Sequence, residues 1–388
     1  MYRMGKEEIE AVKRVITSRA LFKVNSTEQD AMHLECEMQE LFGAEHAIVM
    51  TSGHAALTSA LVAMGIGPGD EVIVPAYTYI ATAMAVVAAG AIPIIVDVDE
   101  TLTLSPTAFE AAITGNTKAV IPVHIQGFPC DMERICDIAR KNGIFVLEDA
   151  CQADGGSFKG KRLGAIGDAG ALSFNYFKII TSGEGGALLT DSKEIFEKAL
   201  IYHDSSAIAY FGDQLSGVDT DVFCGNEYRT NGITSAILRE QLKRLDGILL
   251  DLRKNKRYMM DGISDLCSFV PSNDIDGDCG TTLALRFDTA EQAEAFGTAF
   301  GGVIPINTGK HVYYNWTAIM NKVGAAHPLM DPFKMEANKD IVPNYTADMC
   351  QATIDLLSRS VYISINPDWT EAEMDEKIEL IRAALKSI

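Results

Sequence analysis

Ile144-Phe145-Val146-Leu147-Glu148-Asp149-Ala150-Cys151-Gln152 decides the fold. Four apolar residues run without a break into two acids, and small residues follow. A half-buried strand alternates apolar with polar positions, whereas an unbroken apolar run marks a strand covered on both faces. The same texture recurs on either side, in Ala47–Met50, Glu71–Val74, Pro93–Asp97, Ala119–Val123, Ala169–Phe174 and Ala187–Thr190. Counting Ile144–Glu148, seven such runs alternate with helix-like stretches. Helices between strands act as crossovers, so the pattern predicts an α/β domain: a seven-stranded, mostly parallel sheet with helices on both faces, over residues 41–250. From about residue 195 the texture changes: Glu194–Tyr202 and Ser235–Lys256 read as helices, and Ser205–Cys224 as irregular. Asp251–Arg257 reads as a solvated basic helix face. Strand-like alternation resumes over Ser268–Asp288, and Thr370-Glu371-Ala372-Glu373 is a capping box that opens a last helix. Residues 251–388 are therefore expected to form a smaller α+β C-terminal domain, with residues 1–40 packed on it.

Composition narrows the function classes. Apolar residues make up 47% and charged residues 22% of the chain, which excludes a disordered or disulfide-framework protein. Lys plus Arg number 33 against 53 Asp plus Glu, a net charge of −20 that argues against nucleic acid as partner. No polybasic stretch favours an anionic membrane. The apolar stretch Ile80–Val96 is broken by Gly90 and Pro93 and followed by Asp97, so it reads as a buried helix running into a buried strand. The N-terminus has no signal-like apolar core. None of the eight cysteines forms a C-x-x-C pair or a zinc-like spacing with histidine. A cytoplasmic protein with reduced thiols and no metal is expected.

Two motifs fail. Gly155-x-x-x-x-Gly160-Lys161 has Arg162 where a phosphate-binding loop needs Ser or Thr, and Gly65-x-Gly67-x-Gly69 precedes a strand instead of following one. Three segments past strand C-termini hold together better. Thr51-Ser52-Gly53-His54-Ala55-Ala56-Leu57 opens a helix, whose free N–H groups suit a phosphate, although a plain cap by Ser52 reads as well. Leu147–Gln152 ends a strand on two acids. Ser173-Phe174-Asn175-Tyr176-Phe177-Lys178 sets a lysine among aromatic residues, either to form a Schiff base or to snorkel to solvent. An anion site, then a carboxylate, then an amine is the order a pyridoxal phosphate (PLP) enzyme requires. The amine binds the aldehyde, the carboxylate keeps the pyridine nitrogen protonated, and the helix holds the phosphate.

With Gly67-Pro68-Gly69-Asp70-Glu71-Val72-Ile73-Val74-Pro75, Glu148-Asp149-Ala150-Cys151-Gln152-Ala153 and Gly183-Glu184-Gly185-Gly186 added, the chain resembles the DegT/StrS family of PLP-dependent sugar aminotransferases over nearly its whole length. The resemblance implies the fold type I architecture of aspartate aminotransferase and a homodimer with shared active sites. Residue by residue it implies that Lys178 carries PLP as the internal aldimine and moves the proton, and that Asp149 pairs with the pyridinium nitrogen. It also implies that Gln152 sits near the ring hydroxyl, that Tyr79 stacks on the ring, and that Gly53, His54 and Ser173 hold the phosphate. His54 departs from the family's threonine. In Gly225-Asn226-Glu227-Tyr228-Arg229, Glu227 occupies the place of an asparagine that reaches the partner's phosphate. Either Asn226 takes that role or Glu227 meets the substrate.

The implied reaction is ping-pong transfer from glutamate or glutamine to a keto or aldehyde sugar. His311-Val312-Tyr313-Tyr314-Asn315-Trp316 and Leu357-Ser358-Arg359-Ser360-Val361 resemble the members that make 8-amino-3,8-dideoxy-manno-octulosonate, a lipopolysaccharide sugar, from the 8-oxo acid. Arg229, Lys310, His311 and Arg359 are candidate cations for such an acid. A nucleotide-linked keto-hexose is the rival acceptor. A sugar dehydratase of this fold would carry histidine in place of Lys178. A non-catalytic PLP-binding regulator would want a basic face, and a nicotinamide oxidoreductase would want the absent glycine fingerprint.

Overall fold

A computed structural model describes residues 3–24, 29–204, 218–341 and 343–388. The seven predicted runs form one sheet: β1 (His46–Met50), β2 (Glu71–Pro75), β3 (Ile92–Val96), β4 (Thr117–Val120), β5 (Phe145–Asp149), β6 (Ala169–Ser173) and β7 (Gly186–Thr190). Their order is β1-β7-β6-β5-β4-β2-β3. Only β7 is antiparallel to its neighbours, β1 and β6; the pairs β6/β5, β5/β4, β4/β2 and β2/β3 are parallel. The reversal is local: β6 and β7 are joined by a tight connection, and Lys178 lies on it.

Alternate residues of β1 show why the strands read as continuous apolar runs. Ala47 and Val49 join one buried cluster, while Ile48 and Met50 join another on the opposite face. The helices α1 (Lys6–Ser18), α2 (Asp30–Phe42), α3 (Gly53–Ala63), α4 (Ala81–Ala88), α5 (Pro106–Ala111), α6 (Met132–Asn142), α7 (Lys193–His203), α8 (Gly232–Leu242) and α9 (Leu245–Asp261) surround the sheet. α3, α4 and α7 cover the face bearing Met50, and α2, α6 and α8 the other. The stretch Ile80–Val96 is α4 followed by β3, as its composition predicts.

The N-terminal segment corrects the expectation. α1 and α2 pack on α8, and α2 also lies against β1. Arg239 of α8 pairs with Glu37 and Asp30, and Arg244 with Glu7 and Glu8. Residues 1–40 were expected on the small domain; α1 and α2 instead pack on the large one, while Arg3 reaches Asp251 and Asp368 of the C-terminal part. The boundary at 250/251 also falls inside α9. The basic stretch Asp251–Arg257 is solvated only in part: Lys254 and Arg257 are exposed, but Lys256 is buried and pairs with Asp278 at 2.7 Å, and Arg253 donates to the carbonyls of Asp278 and Gly277.

The C-terminal part contains β8 (Ser268–Phe269), β9 (Thr282–Arg286) and β10 (Ser360–Ser364), an antiparallel sheet in the order β8-β9-β10. With it go α10 (Ala290–Phe300), α11 (Gln351–Ser358) and α12 (Glu371–Leu385), the last opened by the predicted Thr370/Glu373 box. Residues 305–341 behave differently. Tyr313 N donates to Ala76 O and Thr78 N to His311 O, so this stretch returns to the large domain just past β2. Of the segment expected to be irregular, 205–217 lies outside the described residues. Gly155–Lys161 belongs to a short hairpin, Ser157–Phe158 with Lys161–Arg162, in keeping with the rejected phosphate-loop reading.

Candidate active site

The C-terminal ends of β1, β2, β5 and β6 and the start of β7 meet at one edge of the sheet, where open α/β sheets place their ligands. At its centre Ser52 caps α3, its Oγ accepting the Ala55 N–H at 3.1 Å. The helix therefore begins at Gly53 with its first N–H groups unclaimed by helical carbonyls. A Cβ built on Gly53 would lie 2.5 Å from Cys151 Sγ and 3.0 Å from Ser173 Cβ. Only glycine lets the helix start sit this close to the ends of β5 and β6. Gly186 is required from the other side, because any Cβ there would strike the Ser52 backbone. Gly53 and Ser173 are thus brought together as expected. Burial pushes the Cys151 thiol well above its usual pKa, which leaves it protonated and inert.

His54 differs in detail. Its Nδ1 lies 3.3 Å from Ala81 O, and a carbonyl can only accept, so Nδ1 carries the hydrogen. A neutral ring then presents a lone pair at Nε2. His54 can donate to a phosphate through its side chain only as the imidazolium.

Glu148 and Asp149 point to opposite faces of β5, as successive strand residues must. Glu148 is fully buried and accepts from the backbone N–H groups of Gly164, Ile166 and Gly167 and from His124 Nε2. It anchors the loop that leads into β6. Asp149 faces the site: Oδ2 accepts from Thr82 Oγ1 at 2.7 Å and Oδ1 from Cys151 N at 3.2 Å. Thr82 Oγ1 lies 2.7 Å from Thr78 Oγ1, and these two hydroxyls link Asp149 to the Tyr79 segment. Neither threonine was singled out from sequence. The signal was their i,i+4 spacing across the start of α4, which puts both hydroxyls on one side of a helix turn.

Lys178 is half-buried on the β6–β7 connection. That connection is held without its side chain: Phe174 N donates to Gly185 O, Tyr176 N to Gly183 O, and Lys178 N to Asn175 O. Gln152 Oε1 accepts the Gln126 N–H at 3.1 Å, which leaves the Gln152 amide NH₂ available to a ligand. Gln126 adopts φ +54°, unusual for a residue with a side chain. Its carbonyl and Oε1 accept from Thr281 and Thr282 at the start of β9. This turn thus joins the site to the C-terminal sheet, a contact that no sequence motif announced.

Past β2, Tyr79 is 38% exposed and open to the site side. Lys310 Nζ lies 4.8 Å from its ring centroid and 3.3 Å from its hydroxyl, and the His311 ring is 5.5 Å away. His311 was expected as a cation. Burial first, then Lys178 and Lys310, lower its pKa, so it stays neutral and serves as a hydrogen-bonding ring. Arg229 is committed to Asp204 at 2.8 Å and Glu227 at 2.5 Å, and lies over Phe22. Arg359 is bound to Asp355 and to Phe287 O in the C-terminal part. Neither arginine is a spare cation for a substrate acid. Asn226 and Glu227 belong to a strip that runs beside the end of β1, where Tyr228 O accepts the Thr51 N–H. The strip borders the helix start.

Residues 2–298 match the model of the DegT/DnrJ/EryC1/StrS aminotransferase family. The chain belongs to that family. Two relatives are each 40% identical: the spore coat polysaccharide biosynthesis protein SpsC of Bacillus subtilis strain 168, over 65% of this chain and 64% of its own length, and GDP-perosamine synthase of Caulobacter vibrioides, over 58% and 59%. The matches therefore span under two thirds of those relatives. The X-ray structure of an aminotransferase from Psychrobacter cryohalolentis superposes with a TM-score of 0.80 at 26% identity, covering 100% of this chain and 98% of that one.

The DegT/DnrJ/EryC1/StrS family is PLP-dependent, and the residues here fit that group. The Gly53 cradle, closed by Ser173 and backed by a helix start, suits a phosphate. Asp149, 5% exposed and bonded to Thr82, suits a pyridinium nitrogen.

Proposed function

We propose that this chain is a PLP-dependent aminotransferase that moves an amino group from glutamate, or glutamine, to a keto or aldehyde sugar. The observation that carries the reading is the convergence of the Gly53 cradle, Asp149 and Lys178 at one sheet edge. When bound, PLP supplies an electron sink beside the carbon that loses its proton. Asp149, aligned by Thr82 and the Cys151 N–H, keeps the proton on the ring nitrogen. Gln152 would offer its NH₂ to the ring hydroxyl, and Tyr79 would cover the ring face. Lys178 would make the covalent link and, once freed, its Nζ would hold and move the proton taken from the donor carbon. The deaminated donor leaves before the acceptor sugar binds, so parallel double-reciprocal plots are expected; intersecting lines would sink the scheme.

The acceptor we favour is 8-oxo-3-deoxy-manno-octulosonate, giving the 8-amino sugar. Lys310, exposed above Tyr79, supports this reading as a cation that would meet its carboxylate. A nucleotide-linked keto-hexose is the second reading, favoured by the 40% identical GDP-perosamine synthase. Purified protein with PLP and glutamate, offered each acceptor separately, decides between them by mass spectrometry of the aminated product. Lys310→Met is expected to raise KM for the acidic acceptor roughly tenfold, the size of one partly exposed charge-assisted contact, and to leave kcat within about twofold. An unchanged KM removes Lys310 from the acceptor site.

Two further outcomes follow from the geometry. Thr82→Val keeps the shape of the side chain but removes the hydroxyl on Asp149. A hydrogen bond to a charged group contributes about 1.5–3 kcal/mol. Steady-state assays should therefore show kcat lower by roughly one to two orders of magnitude. Gly53→Ala forces overpacking against Cys151 and Ser173, at about 1–3 kcal/mol. Fluorescence titration should show PLP bound about ten- to a hundredfold more weakly.

Tyr176 and Phe177, 53% and 84% exposed beside Lys178, support a homodimer in which a second copy covers them. Light scattering on the eluted protein tests this; a monomer at micromolar concentration contradicts it.

A further inference from the structure

Gln126 stands in the left-handed region, at φ +54° and ψ +19°, on the turn 124–128 that follows β4. A residue with a side chain rarely adopts this conformation, and it persists only where its surroundings over-determine it. Here the surroundings come from the C-terminal part. Thr281 Oγ1 donates to Gln126 O at 2.7 Å, and Thr282 Oγ1 to Gln126 Oε1 at 3.1 Å. Cys279 N donates to Gly127 O at 3.1 Å. A Cβ built on Gly127 would lie 2.7 Å from Cys279 Cβ, so the turn is pressed against the chain ahead of β9.

The strained turn delivers one N–H to the site. Gln126 N donates to Gln152 Oε1 at 3.1 Å, and among the described residues the Gln152 side chain makes no other hydrogen bond. A primary amide has a donor end and an acceptor end, and the two exchange places when the group turns over. A backbone N–H can only donate, so it holds the acceptor end of Gln152 and leaves the NH₂ on the other side.

We propose that Gln126 is a positioning residue: its left-handed backbone, clamped by Thr281 and Thr282, fixes the Gln152 amide with the NH₂ turned to the oxygen of the PLP ring. The C-terminal sheet thereby sets a hydrogen bond made to a cofactor that the large domain holds. This role rests on the reading of Gln152 as the residue beside the ring hydroxyl.

The test is a pH titration of the visible band of lysine-bound PLP in the loaded protein. Its midpoint reports loss of the proton that the linking nitrogen shares with the ring oxygen. A donor on that oxygen favours the form in which it carries more negative charge, the form without the proton, and so keeps the midpoint low. Gln126→Ala removes the Thr282 contact and leaves a left-handed residue with less to hold it. The N–H should leave Gln152, and the midpoint should rise by about one pH unit, a tenfold change in the proton equilibrium. Gln126→Gly removes the same side chain but adopts positive φ freely, and the Thr281 bond to the carbonyl remains. Its midpoint should stay within about 0.3 unit of wild type. Thr282→Val, which removes only the hydroxyl on Gln126 Oε1, should raise the midpoint by less than Gln126→Ala does.

A merely structural role would lower the melting temperature of both Gln126 variants and move neither midpoint, and that result overturns the proposal. Midpoints raised alike in the two variants also overturn it, because they assign the effect to the side chain and not to the N–H. If Gln126→Ala does not fold, Thr282→Val decides, and an unmoved midpoint there overturns the proposal. Gln152→Leu is the reference and should raise the midpoint by about one unit or more. An unmoved Gln152→Leu removes the reading of Gln152 and the role of Gln126 with it, an outcome distinct from a moved Gln152→Leu beside an unmoved Gln126→Ala. Wild-type protein that never develops the visible band removes the function proposed above.

Discussion

Lys178→Ala is expected to abolish the visible band of bound PLP, to leave no cofactor attached after borohydride reduction, and to lower transamination by about 10⁴-fold or more. Two roles are lost together. The covalent link disappears, and so does the base that moves the proton, which alone contributes about 10²–10⁴-fold. The fold should tolerate the change. The connection that bears Lys178 is held by backbone bonds from Phe174, Tyr176 and Lys178 N itself, none of which uses the amine. A melting temperature near wild type with no band would assign the loss to chemistry. Retention of the band would transfer the covalent role to another lysine and overturn the site.

Asp149→Asn should be the next most damaging change. The amide keeps the shape, and its one oxygen can still accept from either Thr82 or the Cys151 N–H, which bind different oxygens of Asp149. It cannot carry the charge that opposes a ring proton. Removing one partner of a buried charged pair costs about 3–5 kcal/mol. This corresponds to a kcat lower by roughly two to more than three orders of magnitude. The measurement is kcat and the visible spectrum at equal PLP occupancy. A kcat within about tenfold of wild type would show that Asp149 does not face the ring nitrogen. Thr82→Val should reproduce a fraction of the same loss, because it acts through the same carboxylate.

Much of this was legible before any coordinates. Seven unbroken apolar runs give seven strands because a sheet covered on both faces selects apolar residues at every position, and no partner is needed to see that. The Ser52 cap, the Thr370 box and the lysine after a strand are local signals of the same kind. Other features depend on which distant segments meet. Glu148 and Asp149 read as one acidic pair, yet strand alternation sends one into a nest of loop amides and the other to the site. Arg229 and Arg359 read as available cations until Asp204, Glu227 and Asp355 are seen to consume them. His311 reads as a cation, but burial beside two lysines keeps it neutral. The N-terminal helices were expected on the small domain because nothing in their own residues reports on Arg239 and Arg244, some two hundred positions away.

The sequence by itself determined the class of fold, the order of chemical groups along the sheet edge and the family, since each follows from short-range pattern and from motifs within a few residues. Only the tertiary structure decided that Gly53 must lack a side chain because Cys151 and Ser173 press against it. It likewise decided that Thr82 aligns Asp149 and that Gln126 ties Gln152 to the C-terminal sheet. These are contacts between residues far apart in the chain, and their energies come from burial and from hydrogen bonds that exist only once the sheet edge has been assembled.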